Sequence, residues 1–313
     1  MTTLLVASAG GHLTELHHLV SRIDVGQRCW VTFDTPQTRS LLHGEDVVHV
    51  PFSTSRDVVG VVRDFVAANR MFRRRRFRAV ISTGAGVAMG FFVPAVAAGI
   101  DCYYIESATR TAGPSLTGRL VARLPRTHLY TQYARWADHH WRYGGSIFDA
   151  FAAERAQRSG PIRKVVVTLG TQRRYQFPRL LRRLVEILPP SVEVLWQAGA
   201  TRIENMPAQA RHEVPSHEMG RAMREADVVI SHAGAGSALS AMRAERRPIC
   251  VPRRARYGEH VDDHQVQMAQ ELDSRNLVFA READLITLDD LELAASWAVR
   301  ASPAVAPFRL VTP

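Results

Sequence analysis

Two short segments hold the residues best suited to chemistry. In Ser8-Ala9-Gly10-Gly11-His12 a glycine pair is followed at once by an imidazole, and in Ser231-His232-Ala233-Gly234-Ala235-Gly236-Ser237 alternate glycines open an apolar helix. A glycine turn lets backbone N–H groups approach an anion, and the positive end of the following helix stabilises it. Such a loop can hold a diphosphate and receive it as a leaving group; it can also simply allow close helix packing. His12 can serve as a general base, because a neutral imidazole accepts a proton near neutral pH. A helix cap or a satisfied buried histidine is the other role open to it. Because His12 follows the glycine pair, the turn lacks the GxGxxG of a dinucleotide site.

Further polar residues follow other apolar runs. Thr168-Leu169-Gly170-Thr171-Gln172 and His260-Val261-Asp262-Asp263-His264-Gln265 are expected at the same sheet edge as the second glycine loop. His260, Asp262, Asp263 and His264 contain metal-ligand types, but neighbouring positions diverge on a regular backbone, so no metal is expected. Glu106, after the run Asp101 to Ile105, is the second candidate base, and partial burial would strengthen it. Cys29, Cys102 and Cys250 are scattered, without a CxxC pair, and read as buried thiols in a reducing compartment.

Parallel sheets are the elements that must position these groups. Leu4 to Ala7, Cys29 to Phe33, Val47 to Val50, Ala79 to Ser82 and Asp101 to Ile105 are apolar runs separated by helix-like segments. The pattern resumes at Lys164 to Thr168, Val192 to Gln197, Val228 to Ser231 and Pro248 to Val251. Alternation of this kind makes an α/β chain, and continuous apolar strands imply helices on both faces. The length of 313 residues suits two domains. The lapse around Gly144-Gly145 and Ser159-Gly160-Pro161 divides the chain into residues 1–150 and 151–313, with an irregular tail beyond Ala301.

A hydrophobic fraction of 46% and a charged fraction of 22% exclude a disordered chain. The beginning at Thr2-Thr3-Leu4 lacks the basic region and cleavage site of a signal peptide, so a cytoplasmic protein is expected. The most apolar stretch, Gly84 to Ile100, falls short of the roughly 20 residues of a spanning helix. The net charge of +10 favours anionic partners.

These motifs, in their order, resemble a fusion of the two halves of the split UDP-N-acetylglucosamine transferase of lipid-linked oligosaccharide synthesis, and resemble the MurG-type transferases of peptidoglycan assembly. Ser8 to Glu15, Ser82 to Ala88, Tyr104 to Ser107 and Pro114 to Gly118 are similar to the acceptor-side half; Thr168 to Gln172, Ser231 to Ser237 and Asp263 to Gln265 are similar to the nucleotide-binding half. The resemblance implies a GT-B fold of two doubly wound Rossmann-like domains facing a cleft. It also implies an inverting, metal-independent transfer from a UDP-sugar, with no further cofactor. The first domain would take the acceptor and the second the donor.

Carried over by position, Gly234, Gly236 and Ser237 contact the diphosphate, with Gly11, Gly170, Thr171, Gln172 and Ala235 completing the donor side. His264 and Gln265 meet the sugar, and the segment Val214 to Met219, including His217, lines the uracil. His12 is the expected base, and Glu106 orients the acceptor. The glutamate that binds ribose in the family is replaced by Ser240, so Glu245 is the alternative ribose ligand.

Arg70-Met71-Phe72-Arg73-Arg74-Arg75-Arg76-Phe77 ends a predicted helix. Arginines at a helix end suit the macrodipole and solvent. Interleaved with Phe72 and Phe77 they also suit an anionic bilayer, and Phe91-Phe92-Val93 either extends that patch or belongs to a buried helix. The expectation is peripheral attachment to the inner face of the cytoplasmic membrane, with a lipid-linked saccharide as acceptor and no nucleic acid bound, since no reading motif is present. The oligomeric state and the donor sugar, whether N-acetylglucosamine, glucuronate or a hexose, stay open. A UDP-sugar epimerase or hydrolase of similar fold and a non-catalytic sugar-nucleotide-binding assembly subunit are the alternative functions.

Overall fold

The computed structural model describes residues 1–53, 57–157, 160–170, 175–202, 209–302 and 305–310. The chain divides into two compact units, Met1–Ile147 with the chain end from Ala306, and Phe148–Val305. The first unit contains β1 (Thr2–Val6), α1 (Gly11–Val20), β2 (Arg28–Phe33), α2 (Pro36–Leu41), β3 (Val47–Val50) and α3 (Val58–Arg74). It continues through β4 (Phe77–Ser82), α4 (Gly86–Ala97), β5 (Asp101–Ile105), α5 (Leu116–Val121), β6 (Thr127–Thr131) and β7 (Trp141–Tyr143). The seven strands pair in parallel in the order β3-β2-β1-β4-β5-β6-β7. The order reverses between β1 and β4. In an open sheet of this kind ligands bind beyond the carboxyl ends of the strands at such a switch point.

Helix α4 is the central core helix of this unit. Phe91 and Phe92 are fully buried and pack with Leu4, Val31, Val80 and Tyr104. They therefore do not extend a surface patch. Nor do Phe72 and Phe77: Phe77 is in the same core, Phe72 packs against that core, and their rings meet edge to face at 5.8 Å. Large apolar side chains are exposed instead earlier on α3, where Val58, Val59, Val62, Phe65 and Val66 face solvent, beside the exposed Arg73, Arg74, Arg75 and Arg76. Asp57 caps α3 by accepting from the Gly60 amide at 2.9 Å. The opposite face of α3 lies so close to α4 that a Cβ on Gly90 would sit 2.4 Å from that of Asp64.

Residues 305–310 carry no helix or strand and pack on the first unit. The Phe308 N–H donates to the Arg22 carbonyl, and its buried ring lies so tightly over Gly144 that a Cβ there would come within 2.5 Å of it.

The second unit runs β8 (Phe151–Arg155), β9 (Lys164–Thr168), α6 (Pro178–Ile187), β10 (Glu193–Gln197), α7 (Ser216–Glu225), β11 (Val228–Ser231) and α8 (Ala235–Arg243). It closes with β12 (Ile249–Cys250), α9 (His264–Ser274), β13 (Phe279–Ala280), α10 (Leu288–Ala295) and β14 (Trp297–Ala301). Five strands pair in parallel in the order β10-β9-β11-β12-β13, and β14 pairs antiparallel with β8. The run of valines in β9 is explained by two cores: Val165 and Val167 pack with Leu180, Ile230 and Leu291, while Val166 packs with Val229, Met219 and Met223. Here the switch point lies between β9 and β11. Among the described residues no helix is long and apolar enough to cross a membrane.

Candidate active site

At the switch point of the first unit the turns after β1 and β4 meet. Gly10, with φ of 90°, caps α1 without a side-chain hydrogen bond and places His12 in the first turn. His12 Nδ1 lies 2.9 Å from the Thr83 carbonyl, and the Thr83 hydroxyl donates to the His12 carbonyl at 2.8 Å. A carbonyl only accepts, so Nδ1 carries the proton and Nε2 is the basic nitrogen of the neutral ring. Gly84 makes the approach possible: at φ of 122°, a Cβ there would stand 3.1 Å from His12 Cε1 and 3.0 Å from the Tyr104 hydroxyl. Two sequence motifs 71 residues apart thus form one structure around the half-buried His12.

Glu106 is deeper. It is buried, and it accepts from the Ser115 N–H at 2.8 Å, the Ser115 hydroxyl at 3.0 Å and the Ser107 N–H at 3.1 Å. Burial raises its pKa against these hydrogen bonds. Its carboxylate fixes the start of α5 from inside the unit. Sequence reasoning missed a second buried acid, Glu15, three residues beyond His12 on α1. It accepts from the Ser107 hydroxyl at 2.8 Å and the Ala108 N–H at 3.0 Å, so it holds the loop after β5 against α1.

Burial, with a smaller contribution from the Glu106 charge, pushes the Glu15 carboxyl up from 4.5 to about 7. A carboxyl raised in the folded state contributes stability that is full below its unfolded pKa and is lost as pH rises through about 7. Glu15→Gln, a neutral isostere, should therefore gain on the order of 3 kcal/mol over the parent at pH 8 relative to pH 5. Thermal unfolding at the two pH values measures this; a stability difference independent of pH would count against it.

In the second unit the turns after β9 and β11 close around one ring. His232 is buried with Nδ1 3.3 Å from the Thr168 carbonyl. A Cβ on Gly170, whose φ is 71°, would come within 2.6 Å of the ring, and one on Gly234 within 2.4 Å. Burial first, then the Arg253 charge, lowers the His232 pKa to about 3, so the ring is neutral at physiological pH. Gly234 caps α8 with no side-chain hydrogen bond, and Gly236 and Ser237 are half-buried in its first turn. The dipole of α8 and its first-turn amides make the start of this helix electropositive.

Residues 164–288 match the family model described as the glycosyltransferase family 28 C-terminal domain. The match covers most of the second unit, which is similar to that domain. No curated protein matches the chain in sequence. Among solved structures, MurG of Acinetobacter baumannii is 18% identical over 93% of this chain and 89% of its own, with a TM-score of 0.56. The glycosyltransferase SnogD of Streptomyces nogalater is 17% identical over 94% and 90%, with a TM-score of 0.60. The UDP-GlcNAc 2-epimerase of Methanocaldococcus jannaschii, solved with UDP-GlcNAc and UDP, is 8% identical over 99% and 96%, with a TM-score of 0.56. At these identities the likeness is one of fold, and the fold is GT-B.

Within the second unit the expected donor residues separate. Gly170, Gly234, Ala235, Gly236 and Ser237 gather at the switch point, whereas Thr171 and Gln172 lie outside the described residues. Gln265 is buried in the first turn of α9, and its amide oxygen accepts from the Arg253 N–H at 3.1 Å. His264 Nδ1 pairs with the Asp262 carboxylate, and its ring meets His260 at 4.5 Å. One ligand atom each of His260, Asp262 and His264 falls within 4.8 Å of the others. The expected divergence of neighbouring side chains fails because this segment is a series of bends, not a regular backbone.

His217 is exposed in the first turn of α7, while Val214 and Met219 pack in the core. Ser240 donates its hydroxyl to the Gly236 carbonyl at 2.8 Å within α8. Glu245 pairs with Arg300 beyond the C-terminal end of that helix, roughly 13 Å along its axis from the glycine turn. Glu245 therefore does not stand in for the ribose glutamate at the glycine end.

Proposed function

We propose that the chain is an inverting glycosyltransferase that moves a sugar from a UDP-sugar to a lipid-linked saccharide. The observation that carries this reading is the pair of switch points, one presenting a basic imidazole nitrogen and the other a glycine turn on an uncapped helix start, in a chain with a family 28 domain. The acceptor hydroxyl gives its proton to His12 Nε2 as its oxygen bonds to the anomeric carbon. The sugar–phosphate bond breaks, and UDP leaves with its charge held by the α8 N-terminus. Gly170, Gly234, Gly236 and Ser237 hold the diphosphate; His264 and Gln265 meet the sugar; Glu106 orients the acceptor loop through Ser115.

The test is incubation of the purified chain with UDP-N-acetylglucosamine, UDP-glucuronate and UDP-hexoses and a membrane lipid extract, with EDTA present. A glycosylated lipid should form, with release of UDP. The M. jannaschii epimerase shares the fold, so an altered UDP-sugar without transfer would favour epimerisation, and UDP binding without any product an assembly subunit. Complete loss of transfer in EDTA, restored by a divalent ion, would instead assign a metal to His260, Asp262 and His264.

The acceptor side belongs at the cytoplasmic face of an anionic membrane. Val58, Val59, Val62, Phe65 and Val66 form an apolar strip on α3, and Arg73, Arg74 and Arg76 are exposed near its end, while Arg75 is paired with Asp46 at 2.9 Å. Apolar insertion beside cationic side chains suits acidic lipid. Replacing Val58, Val62 and Phe65 together by Ser should weaken binding to phosphatidylglycerol vesicles at least about tenfold. Arg73, Arg74 and Arg76 changed to Gln should leave weaker, less salt-sensitive binding. Sedimentation with vesicles measures both, and partitioning like the parent's would remove α3 from the membrane contact.

A further inference from the structure

The most unusual charge in the second unit is Arg253. It follows β12 directly after Val251-Pro252 and is completely buried. Its Nη2 donates to the Leu169 carbonyl at 2.6 Å, at the Gly170 turn, and its guanidinium lies 5.9 Å from the centre of the Phe177 ring. Its Nε and Nη1 are buried with no hydrogen-bond partner among the described residues. The nearby carboxylate, Glu259, is already engaged: it accepts from Arg179 at 3.1 and 3.0 Å and from the Arg254 N–H at 3.0 Å. Burial lowers the Arg253 pKa only to about 10, so the side chain remains charged at neutral pH.

A buried, half-satisfied guanidinium is costly, and a fold retains one where an opposite charge arrives to offset it. The neighbours identify where that charge docks. Arg253 reaches the carbonyl that precedes Gly170, its charge acts on His232, and His232 is clasped by Gly170 and Gly234. His232 is neutral, and no side chain caps α8, so the buried guanidinium brings a full positive charge to this turn.

We infer that Arg253 is the buried counter-charge of the glycine turn, placed to offset the diphosphate of a nucleotide bound there. The inference rests on the donor reading above and adds a residue to it. A guanidinium held beneath the turn acts on the ligand through a poorly screened medium, where its pull depends on how many negative charges the ligand carries. It thereby discriminates nucleoside diphosphate from nucleoside.

The test is calorimetric titration of the full chain and its Arg253→Met and Arg253→Lys variants with UDP, UMP, uridine and inorganic pyrophosphate, with thermal unfolding of each free protein. In Arg253→Met, affinity for UDP should fall about 30-fold or more while uridine affinity holds. The Lys variant should be intermediate, and the Met variant without ligand should unfold no lower than the parent, since an uncompensated charge has been removed. Unchanged UDP affinity in folded Arg253→Met would overturn the inference, as would an equal loss for UDP and uridine. Failure of both variants to fold would assign Arg253 to the architecture of the turn and overturn it too. A parent chain that binds pyrophosphate through Arg253 but UDP no better than pyrophosphate would keep the counter-charge and sink the nucleotide reading. A parent indifferent to all the anions would sink both.

Discussion

His12→Ala should lower kcat by about 10²- to 10⁴-fold while UDP affinity stays close to the parent's, the loss expected when a general base is removed. Two structural facts set this expectation. The Thr83 carbonyl at 2.9 Å fixes the proton on Nδ1 and leaves Nε2 as the basic nitrogen, and Gly84 lets the turn close over the ring without displacing it. Donor affinity should be spared because the proposed diphosphate turn with Gly170 and Gly234 belongs to the other unit. Glu106→Gln should cost less, because its buried carboxylate is committed to Ser115 and Ser107. Steady-state kinetics of the two variants decide the matter: near-parental kcat in His12→Ala, with turnover abolished in folded Glu106→Gln, would exchange the two roles.

The largest loss of stability should come from Gly199→Ala. Gly199 has φ of 61°, and a Cβ there would lie 2.2 Å from the Gly170 carbonyl oxygen, a backbone atom that cannot swing aside. Left-handed backbone costs a residue with a Cβ about 1–2 kcal/mol, and overpacking adds about 1–3 kcal/mol, so the expected loss is about 2–5 kcal/mol. Gly258→Ala supplies the comparison, because it has φ of 68° with nothing within 4 Å and should lose only the conformational part. Urea unfolding of the two variants separates the effects, and equal midpoints would show that the Gly170 turn yields to a methyl group. Displacing that turn should also reduce UDP affinity, since the Leu169 carbonyl beside it holds Arg253.

The parts legible in the sequence were those where a continuous apolar strand runs into glycine. β9 and β11 are buried along nearly their whole length, as are most of β1 and the last three residues of β4, and burial on both faces writes runs of valine, leucine and isoleucine. β6, β7, β8 and β14 carried no such signal: Thr-His-Leu-Tyr-Thr, Trp-Arg-Tyr and Phe-Ala-Ala-Glu-Arg mix polar with aromatic residues, because they sit at a sheet margin or in a two-stranded ribbon. The glycine turns were visible, but their partners were not. Nothing local says that His12 will meet Thr83, or that Glu15 will bond to Ser107, 92 residues away. Arg253 was overlooked for the same reason, although an arginine just past an apolar strand and a proline lies where sheet-edge ligands bind.

The path of the chain also bears on how such a protein can be rebuilt. The residues on either side of the second unit belong to the first, so the second unit is, in connectivity, an insertion between residues 147 and 306. Its first and last strands, β8 and β14, run side by side in opposite directions. Arg22 gathers the flanking backbone, donating to the Ser146 carbonyl at 2.5 Å and the Ala306 carbonyl at 2.9 Å. A segment whose two junctions are held by one guanidinium is a natural cassette: related second units can be exchanged between these points with the seven-stranded sheet left uncut. A fragment ending near residue 150, by contrast, would leave behind the Phe308 ring that covers Gly144, and would expose part of its own core.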